Sequence, residues 1–185
     1  EIEDPMTKAE KLVKEVVRTV PDWPEKGVMF RDITPIFQHP EVLHAVFEAF
    51  IERYREKQVD VIAGIDARGF LLGVTISYEL KIPFVPVRKR GKLPWKTVWE
   101  EYTLEYGTAA IEMHEDACKK GDRVVIFDDL IATGGTMLAA ASIVKRLGGE
   151  VVEAAAIIDL PDLGGSQKIW KTGVPVHTLS KYEGH

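Results

Sequence analysis

The sequence predicts an α/β fold with an open, mainly parallel, twisted sheet flanked by helices. Four short apolar runs suit strands that are buried on both faces. The segments between them have the apolar spacing of helices. Strands that alternate with helices are typical of a parallel sheet, because each crossover returns the chain to the same end of the sheet. With 185 residues and 45% apolar content, the chain can bury the core of one such domain.

The expected elements follow in chain order. Two amphipathic helices are predicted over residues 8–20 and 43–54, where apolar side chains recur at helical spacing. The four buried strands are predicted at Val61–Ile65, Ile82–Val87, Val124–Phe127 and Val151–Ile158. Two further helices are predicted at Phe70–Leu80 and Met137–Leu147, the second ending at Gly148. The charged stretch 88–106 has no clear period, so we expect a long loop or a hairpin there.

Composition limits the classes of function. No apolar run approaches the roughly 18 residues of a membrane span, and no signal-peptide pattern opens the sequence. A lone cysteine, Cys118, excludes an internal disulfide framework and fits a reducing cytoplasm. The formal net charge of −5 argues against general nucleic-acid binding, which depends on neutralising many phosphates. We therefore expect a soluble cytoplasmic domain that binds neither membranes nor nucleic acid.

Polar segments follow three of the predicted strands, at Asp66–Gly69, Arg88–Lys92 and Asp128–Thr136. Ligands of open parallel sheets bind beyond the carboxyl ends of the strands, so these segments should share one rim. The last of them opens a helix, where free N–H groups and the helix dipole favour an anion. Its glycines let the backbone close around a phosphate. The residues of this predicted phosphate site are Ala132, Thr133, Gly134, Gly135 and Thr136.

Two adjacent carboxylates, Asp128 and Asp129, would repel a phosphate, so their partners must be neutral donors or a cation. Ribose hydroxyls suit them, since ionised carboxylates only accept hydrogen bonds. A phosphate site beside hydroxyl acceptors describes a sugar phosphate such as a ribose 5-phosphate. The alternative is a strand that ends in a solvated acidic turn, with the basic run Arg88–Lys92 as a solvated patch or an address signal.

The segment VVIFDDLIATGGTM, residues 124–137, resembles the phosphoribosyl pyrophosphate signature of type I phosphoribosyltransferases. The resemblance extends to GVMFRDITPIF (27–37), GIDARGFLLG (64–73), PVRKRGKLP (86–94) and YTLEYG (102–107), in the family's order. It covers about residues 21–185. FRDI and LEYG together point to the members of the family that act on adenine.

The resemblance implies transfer of a phosphoribosyl group from 5-phosphoribosyl 1-pyrophosphate to adenine, with AMP and pyrophosphate as products. It implies Mg²⁺ held mainly by pyrophosphate and ribose oxygens of the substrate, without a dedicated protein metal site. It also implies a homodimer and a cis peptide near Asp66–Ala67. The chain would form one domain, 1–185, with an N-terminal helix region (1–20), a base-binding hood (21–40) and a flexible active-site loop (88–106).

The implied catalytic residues are Glu105, Arg68 and Lys89. Glu105 would serve as general acid or base toward the purine. The two cations would stabilise negative charge on the leaving pyrophosphate. Composition alone does not separate Glu105 from Glu100 or Glu101; only the LEYG match selects it.

The implied substrate-binding residues include both carboxylates and the phosphate site described above. Phe30 and Leu160 are expected to stack on the two faces of adenine, and Tyr106 is expected to close over the site. The further residues are Arg88 and Lys92 at the pyrophosphate, and Met29 and Arg31, whose backbone groups should contact the amino edge of the base.

Two alternatives stay open. One is a phosphoribosyltransferase for another base, such as xanthine, hypoxanthine or orotate. The other is a non-catalytic regulator that senses phosphoribosyl pyrophosphate. A DNA-binding regulator would need an added helix-turn-helix domain or a basic face, and the net acidity disfavours the basic face. The presence of Glu105 favours catalysis.

Overall fold

The computed structural model describes residues 2–104 and 106–184, and it confirms an α/β fold with a mainly parallel sheet between helices. The strands in this part of the chain are β1 (Arg18–Pro21), β2 (Met29–Asp32), β3 (Val61–Ile65), β4 (Phe84–Lys89), β5 (Thr97–Thr103), β6 (Thr108–His114), β7 (Arg123–Ile131), β8 (Glu150–Asp159) and β9 (Val176–Lys181). The α-helices are α1 (Pro5–Val16), α2 (Thr34–Gln38), α3 (Pro40–Glu56), α4 (Arg68–Leu80), α5 (Gly135–Arg146) and α6 (Gly165–Lys171), and a 3-10 turn covers Pro161–Leu163.

The main sheet has seven strands in the order β5-β6-β4-β3-β7-β8-β9. The last five run parallel, whereas β6 is antiparallel to β4 and β5 is antiparallel to β6. β1 and β2 form a separate antiparallel pair. Because β3, β4 and β7 run in the same direction, the segments that follow them emerge at one edge of the sheet.

The central strands pack between two apolar layers. Val124 and Ile126 of β7 belong to the cluster that includes α5 and α6, whereas Val125 and Phe127 belong to the cluster that includes α1 to α4. All four side chains are fully buried. Continuous apolar runs occur in these strands because both faces of the sheet are covered.

The first helix differs from its prediction at both ends. It begins at Pro5, after Asp4 accepts a hydrogen bond from the backbone N–H of Met6 at 3.0 Å, and it ends at Val16. The apolar residues expected in its last turn instead lead into β1. The helical spacing of five leucine and valine residues was therefore a weaker guide than the pairing of β1 with β2.

Two strands extend into the polar segments that were expected to follow them. β7 continues to Ile131, and Asp128 pairs with Ala156 of β8, because β8 is long enough to continue the ladder. β4 likewise ends at Lys89, paired with β6. β5 and β6 pair as an antiparallel hairpin, which was one of the two structures predicted for the charged stretch.

A buried ionic cluster joins α3 to β8. Glu153 accepts hydrogen bonds from Nε and Nη2 of Arg53 at 2.8 and 2.7 Å, and from the Tyr54 hydroxyl at 2.6 Å. Burial alone would raise the pKa of Glu153, but the bonds from Arg53 and Tyr54 outweigh burial and hold that pKa below its usual value. The charge inside the protein is therefore compensated by well-placed donors.

Glu153→Gln should destabilise the fold by roughly 3 kcal/mol, because loss of one partner leaves the other buried group uncompensated. Glu150→Gln on the same strand is the control, since the Glu150 side chain is 66% exposed and pairs with Arg123 at the surface. We expect a change of about 1 kcal/mol or less there. Urea unfolding measures both free energies, and equal losses in the two variants would contradict the stabilising role of the cluster.

Candidate active site

The polar segments line one cavity of about 590 Å³ at the carboxyl edge of the sheet. The three segments therefore share one rim, as the parallel topology predicts. The predicted site residues that line this cavity are Phe30, Arg68, Arg88, Lys89, Lys92, Asp128, Asp129, Ala132, Thr133, Gly134, Gly135 and Thr136.

The glycine-containing segment forms the turn into α5. Gly134 precedes the helix with φ of +84°, a left-handed conformation that glycine adopts at little cost. A Cβ at Gly134 would lie 3.0 Å from the Cα and O atoms of Gly165, whose N–H donates to the carbonyl of Ala132 at 3.1 Å. The first amides of α5 have no acceptor within the helix, so this end of the helix can bind an anion in the cavity.

The two carboxylates of β7 have different surroundings. Asp129 is 4% exposed, and its Oδ2 accepts a hydrogen bond from Nε of Arg68. Asp128 is half-buried and accepts from the backbone N–H of Asp129 at 2.8 Å. Burial raises the pKa of Asp128 well above its usual range, and the charge of Asp129 raises it further, whereas Arg68 lowers it. Hydroxyl donors or a cation beside Asp128 would stabilise its ionised form.

The close approach of α4 to β7 places Arg68 in the cavity. A Cβ at Gly69 would lie 2.6 Å from the carbonyl oxygen of Phe127, so the helix can begin here only because residue 69 is glycine. The guanidinium has five N–H donors, and the Nε–H that binds Asp129 is one of them. The others are available to an anion. The Asp66–Ala67 peptide just before this helix is cis, as the resemblance implied.

The basic residues at the end of β4 and in the turn after it add positive charge to the same cavity. Nε of Arg88 donates to Asp66 Oδ2 at 2.8 Å, and its Nη1 donates to the carbonyl of Lys92 at 3.1 Å. Lys89 and Lys92 are exposed to solvent on the cavity wall. Together with Arg68 they place four cations in the cavity that also contains the carboxyls of Asp128 and Asp129.

A smaller cavity of about 300 Å³ adjoins the first and shares Phe30 and Arg68 with it. The ring of Trp23 packs edge-on against Phe30, with centroids 4.4 Å apart. β2 pairs with β1 on one side, and among the described residues no strand covers its other edge. Backbone donors and acceptors on that edge are suited to contact a flat polar ligand. Arg31 lines this cavity and donates from Nη1 to Thr19 Oγ1 at 2.6 Å.

Four predicted site residues lie elsewhere or are not described. Met29 is exposed on β2, and Leu160 is buried in the layer with α1 to α4. Tyr106 is 87% exposed. None of these three lines either cavity. Glu105 lies outside the described residues. Their contacts with a ligand stay predictions.

Tyr102 is a cavity residue that sequence reasoning missed. It lies on β5, and a Cβ at Gly135 would come within 3.2 Å of its Cδ2 atom. Val98, Glu100 and Tyr102 are half-buried at alternate positions, which is the period of a strand. The charged side chain of Glu100 interrupts the apolar pattern, and this concealed the strand in the sequence.

Fold and cavity together define a mainly parallel α/β domain whose sheet edge has the groups needed to bind an anionic sugar derivative. A family model described as phosphoribosyl transferase domain matches residues 32–178. The adenine phosphoribosyltransferase of Cupriavidus taiwanensis is 58% identical over 173 residues, which cover 94% of this chain and 91% of that protein. The chain belongs to the phosphoribosyltransferase family and, within it, to the adenine phosphoribosyltransferases.

Solved structures agree with this assignment. The crystal structure of adenine phosphoribosyltransferase from Rhodothermus marinus has a TM-score of 0.88 and 50% identity, and the match covers 95% of this chain and 99% of that chain. The enzyme from Saccharomyces cerevisiae has a TM-score of 0.87 and 36% identity, with 93% of this chain and 98% of that chain covered. The latter structure is a complex with adenine and an imino-altritol bisphosphate.

Gly134→Ala should destabilise the protein more than Gly164→Ala, by roughly 1 kcal/mol or more. Both glycines have positive φ, +84° and +77°, so both variants carry a similar backbone cost. Only the Cβ at 134 meets other atoms within 4 Å, namely the backbone of Gly165. Urea unfolding compares the two variants. Equal stability would mean that contact with Gly165 does not shape the turn.

Proposed function

We propose that the chain transfers the 5-phosphoribosyl group of 5-phosphoribosyl 1-pyrophosphate to adenine, giving AMP and pyrophosphate. The observation that carries this proposal is that the start of α5, the carboxylates of β7 and four cations line one cavity. This cavity has separate partners for a phosphate, for ribose hydroxyls and for a pyrophosphate. The names of the relatives, and the adenine in the Saccharomyces cerevisiae complex, support adenine as the base.

The 5-phosphate would bind at Ala132–Thr136, through the first amides of α5. Asp128 lines the cavity and would accept hydrogen bonds from the ribose hydroxyls, and these donors would stabilise its ionised form against the burial that raises its pKa. Asp129 would hold Arg68 through one oxygen and contact the ribose through the other. The two carboxylates would therefore fix the sugar and a cation at the same time.

The leaving pyrophosphate would bind to Arg68, Arg88, Lys89 and Lys92. Negative charge grows on this group as the bond to C1 of the ribose breaks, so donors placed in advance lower the barrier. Two of these cations are already held by carboxylates, Arg68 by Asp129 and Arg88 by Asp66. They need little rearrangement when the charge develops.

Mg²⁺ is the proposed cofactor. Among the described residues, no group of three or more His, Cys, Asp and Glu side chains is arranged to hold a metal ion. The ion would be held chiefly by pyrophosphate oxygens, ribose oxygens and water, beside the carboxyl of Asp128. When bound, the ion would neutralise part of the charge of the pyrophosphate.

Adenine would stack on Phe30, with Leu160 on its other face and the backbone of Met29 and Arg31 at its amino edge. The edge-on contact with Trp23 supports this role of Phe30, because it fixes the orientation of the ring. Tyr106 would close over the bound substrates. Excluding water matters because attack of water on C1 would hydrolyse the substrate.

A homodimer in the cytoplasm is the proposed state of the protein. α4 exposes Leu71, Val74 and Tyr78, which lie on one face of the helix at i, i+3 and i+7. An apolar stripe of this kind supports contact with a second copy. No helix in residues 2–104 and 106–184 has the length and apolar character needed to cross a bilayer.

A spectrophotometric assay with adenine, phosphoribosyl pyrophosphate and Mg²⁺ tests the proposed function. The assay is repeated with hypoxanthine, xanthine and orotate. We expect AMP formation, with kcat/KM for adenine at least ~100-fold above that for each other base. Preference for another base would mean that the protein is a phosphoribosyltransferase for that base and not for adenine. Binding of phosphoribosyl pyrophosphate without turnover of any base would favour a regulator instead.

Glu105→Gln should lower kcat by ~100-fold or more and change KM for adenine little, since it removes a titrating carboxyl at constant size. Glu101→Gln, on an exposed position of β5, is the matched comparison and should keep near-normal kcat. Glu100 pairs with Arg146 of α5 at 2.9 Å, which disfavours it as the acid or base. Steady-state kinetics decide, and normal kcat in Glu105→Gln would remove Glu105 from the mechanism.

A further inference from the structure

Glu112 of β6 carries a buried carboxylate that the proposed chemistry does not use. The residue is 3% exposed and pairs with Arg88 across the β4–β6 ladder. Its neighbour Ile111 lines the larger cavity, whereas Glu112 does not. Burying a charge is costly unless donors compensate it, so the carboxylate at this position requires an explanation.

The donors that compensate Glu112 come from the turn after β4 and from the first residue of β5. Oε1 accepts from the backbone N–H groups of Gly91 and Leu93 at 3.0 and 2.9 Å, and Oε2 accepts from the hydroxyl of Thr97 at 3.0 Å. Burial alone would raise the pKa of Glu112, but these donors hold the pKa below its usual value. The carboxylate is therefore ionised at neutral pH.

The turn that Glu112 holds carries Lys92 and contacts Arg88 and Lys89 at the end of β4. Lys92 lies between the two bonded amides, and its carbonyl accepts from Nη1 of Arg88 at 3.1 Å. Its own N–H donates to the carbonyl of Lys89 at 3.1 Å. A chain of contacts thus runs from Glu112 through the backbone of the turn to Lys92, Arg88 and Lys89.

We propose that Glu112 is a positioning residue for pyrophosphate binding. Its carboxylate fixes the turn at residues 91–93. This turn carries Lys92 and binds Arg88, so it holds both cations on the cavity wall. This inference rests on the proposed function, because it assigns these cations to the pyrophosphate. The base is expected on β2, at Phe30, which shares none of these contacts. Glu112 therefore affects affinity for pyrophosphate and not affinity for adenine.

Glu112→Gln keeps the size of the side chain but replaces one acceptor oxygen by an NH₂ group, so a donor of the turn loses its ionised partner. We expect the Kd for inorganic pyrophosphate with Mg²⁺, measured by calorimetry, and the KM for phosphoribosyl pyrophosphate to rise ~10-fold or more. KM for adenine should stay within about twofold. Glu115→Gln, an exposed carboxyl after the same strand, is the control and should leave all three constants unchanged.

Thr97 provides a second pair of variants that leaves the carboxylate in place. Thr97→Val removes the hydroxyl donor to Oε2 and should raise the Kd for pyrophosphate, whereas Thr97→Ser keeps the donor and should restore it. This pair decides the question if Glu112→Gln does not fold. An unchanged pyrophosphate Kd in a folded Glu112→Gln or in Thr97→Val would overturn the proposal. Equal losses of adenine and pyrophosphate affinity would also overturn it, since they indicate a general loss of structure.

The wild-type protein separates this inference from the proposed function. If it binds pyrophosphate in a manner that depends on Glu112 but does not convert adenine, the proposed function fails and the positioning role stands. If it converts adenine and its pyrophosphate affinity does not depend on Glu112, the positioning role fails and the function stands. A wild type that binds no pyrophosphate overturns both.

Discussion

The ion pair between Arg68 and Asp129 joins the two main parts of the site. It links the start of α4 to β7, and it can form because Gly69 lets the helix contact the carbonyl of Phe127. Asp129 is buried, so the interaction is screened less than an ion pair in water. The pair gives the two adjacent carboxylates different roles. Asp129 holds a cation through one oxygen, and Asp128, which has no such ion pair among the described residues, is the main acceptor that we propose for the ribose hydroxyls.

The same arrangement recurs at the other cations of the cavity. Arg88 is held by Asp66, and the turn that carries Lys92 is held by Glu112. Arg68 and Arg88 are thus oriented by carboxylates before a ligand arrives, and oriented charges stabilise a developing anion without a reorganisation cost. This explains how a chain with a formal net charge of −5 can bind a polyanion. The local distribution of charge, and not the net charge, determines what the cavity attracts.

The sheet and the phosphate turn were predictable because their signals are local. Apolar runs without polar alternation suit strands that are covered on both faces, and the acid pair and glycines are adjacent in the sequence. Tyr102, Gly165 and Glu112 were not predictable, since each acts through a contact with a distant segment. The extension of β7 through Asp128 has the same cause. Pairing with β8 continues the strand past the point where the apolar run ends.

A double-mutant cycle on Arg68 and Asp129 tests the division of roles most directly. Calorimetry gives the affinity for phosphoribosyl pyrophosphate of the wild type, Arg68→Gln, Asp129→Asn and the double variant. If Asp129 acts mainly by holding Arg68, the two single losses are not additive, and the coupling is about 1 kcal/mol or more. Additive losses would contradict this, because they would mean that the two side chains contribute to substrate binding independently.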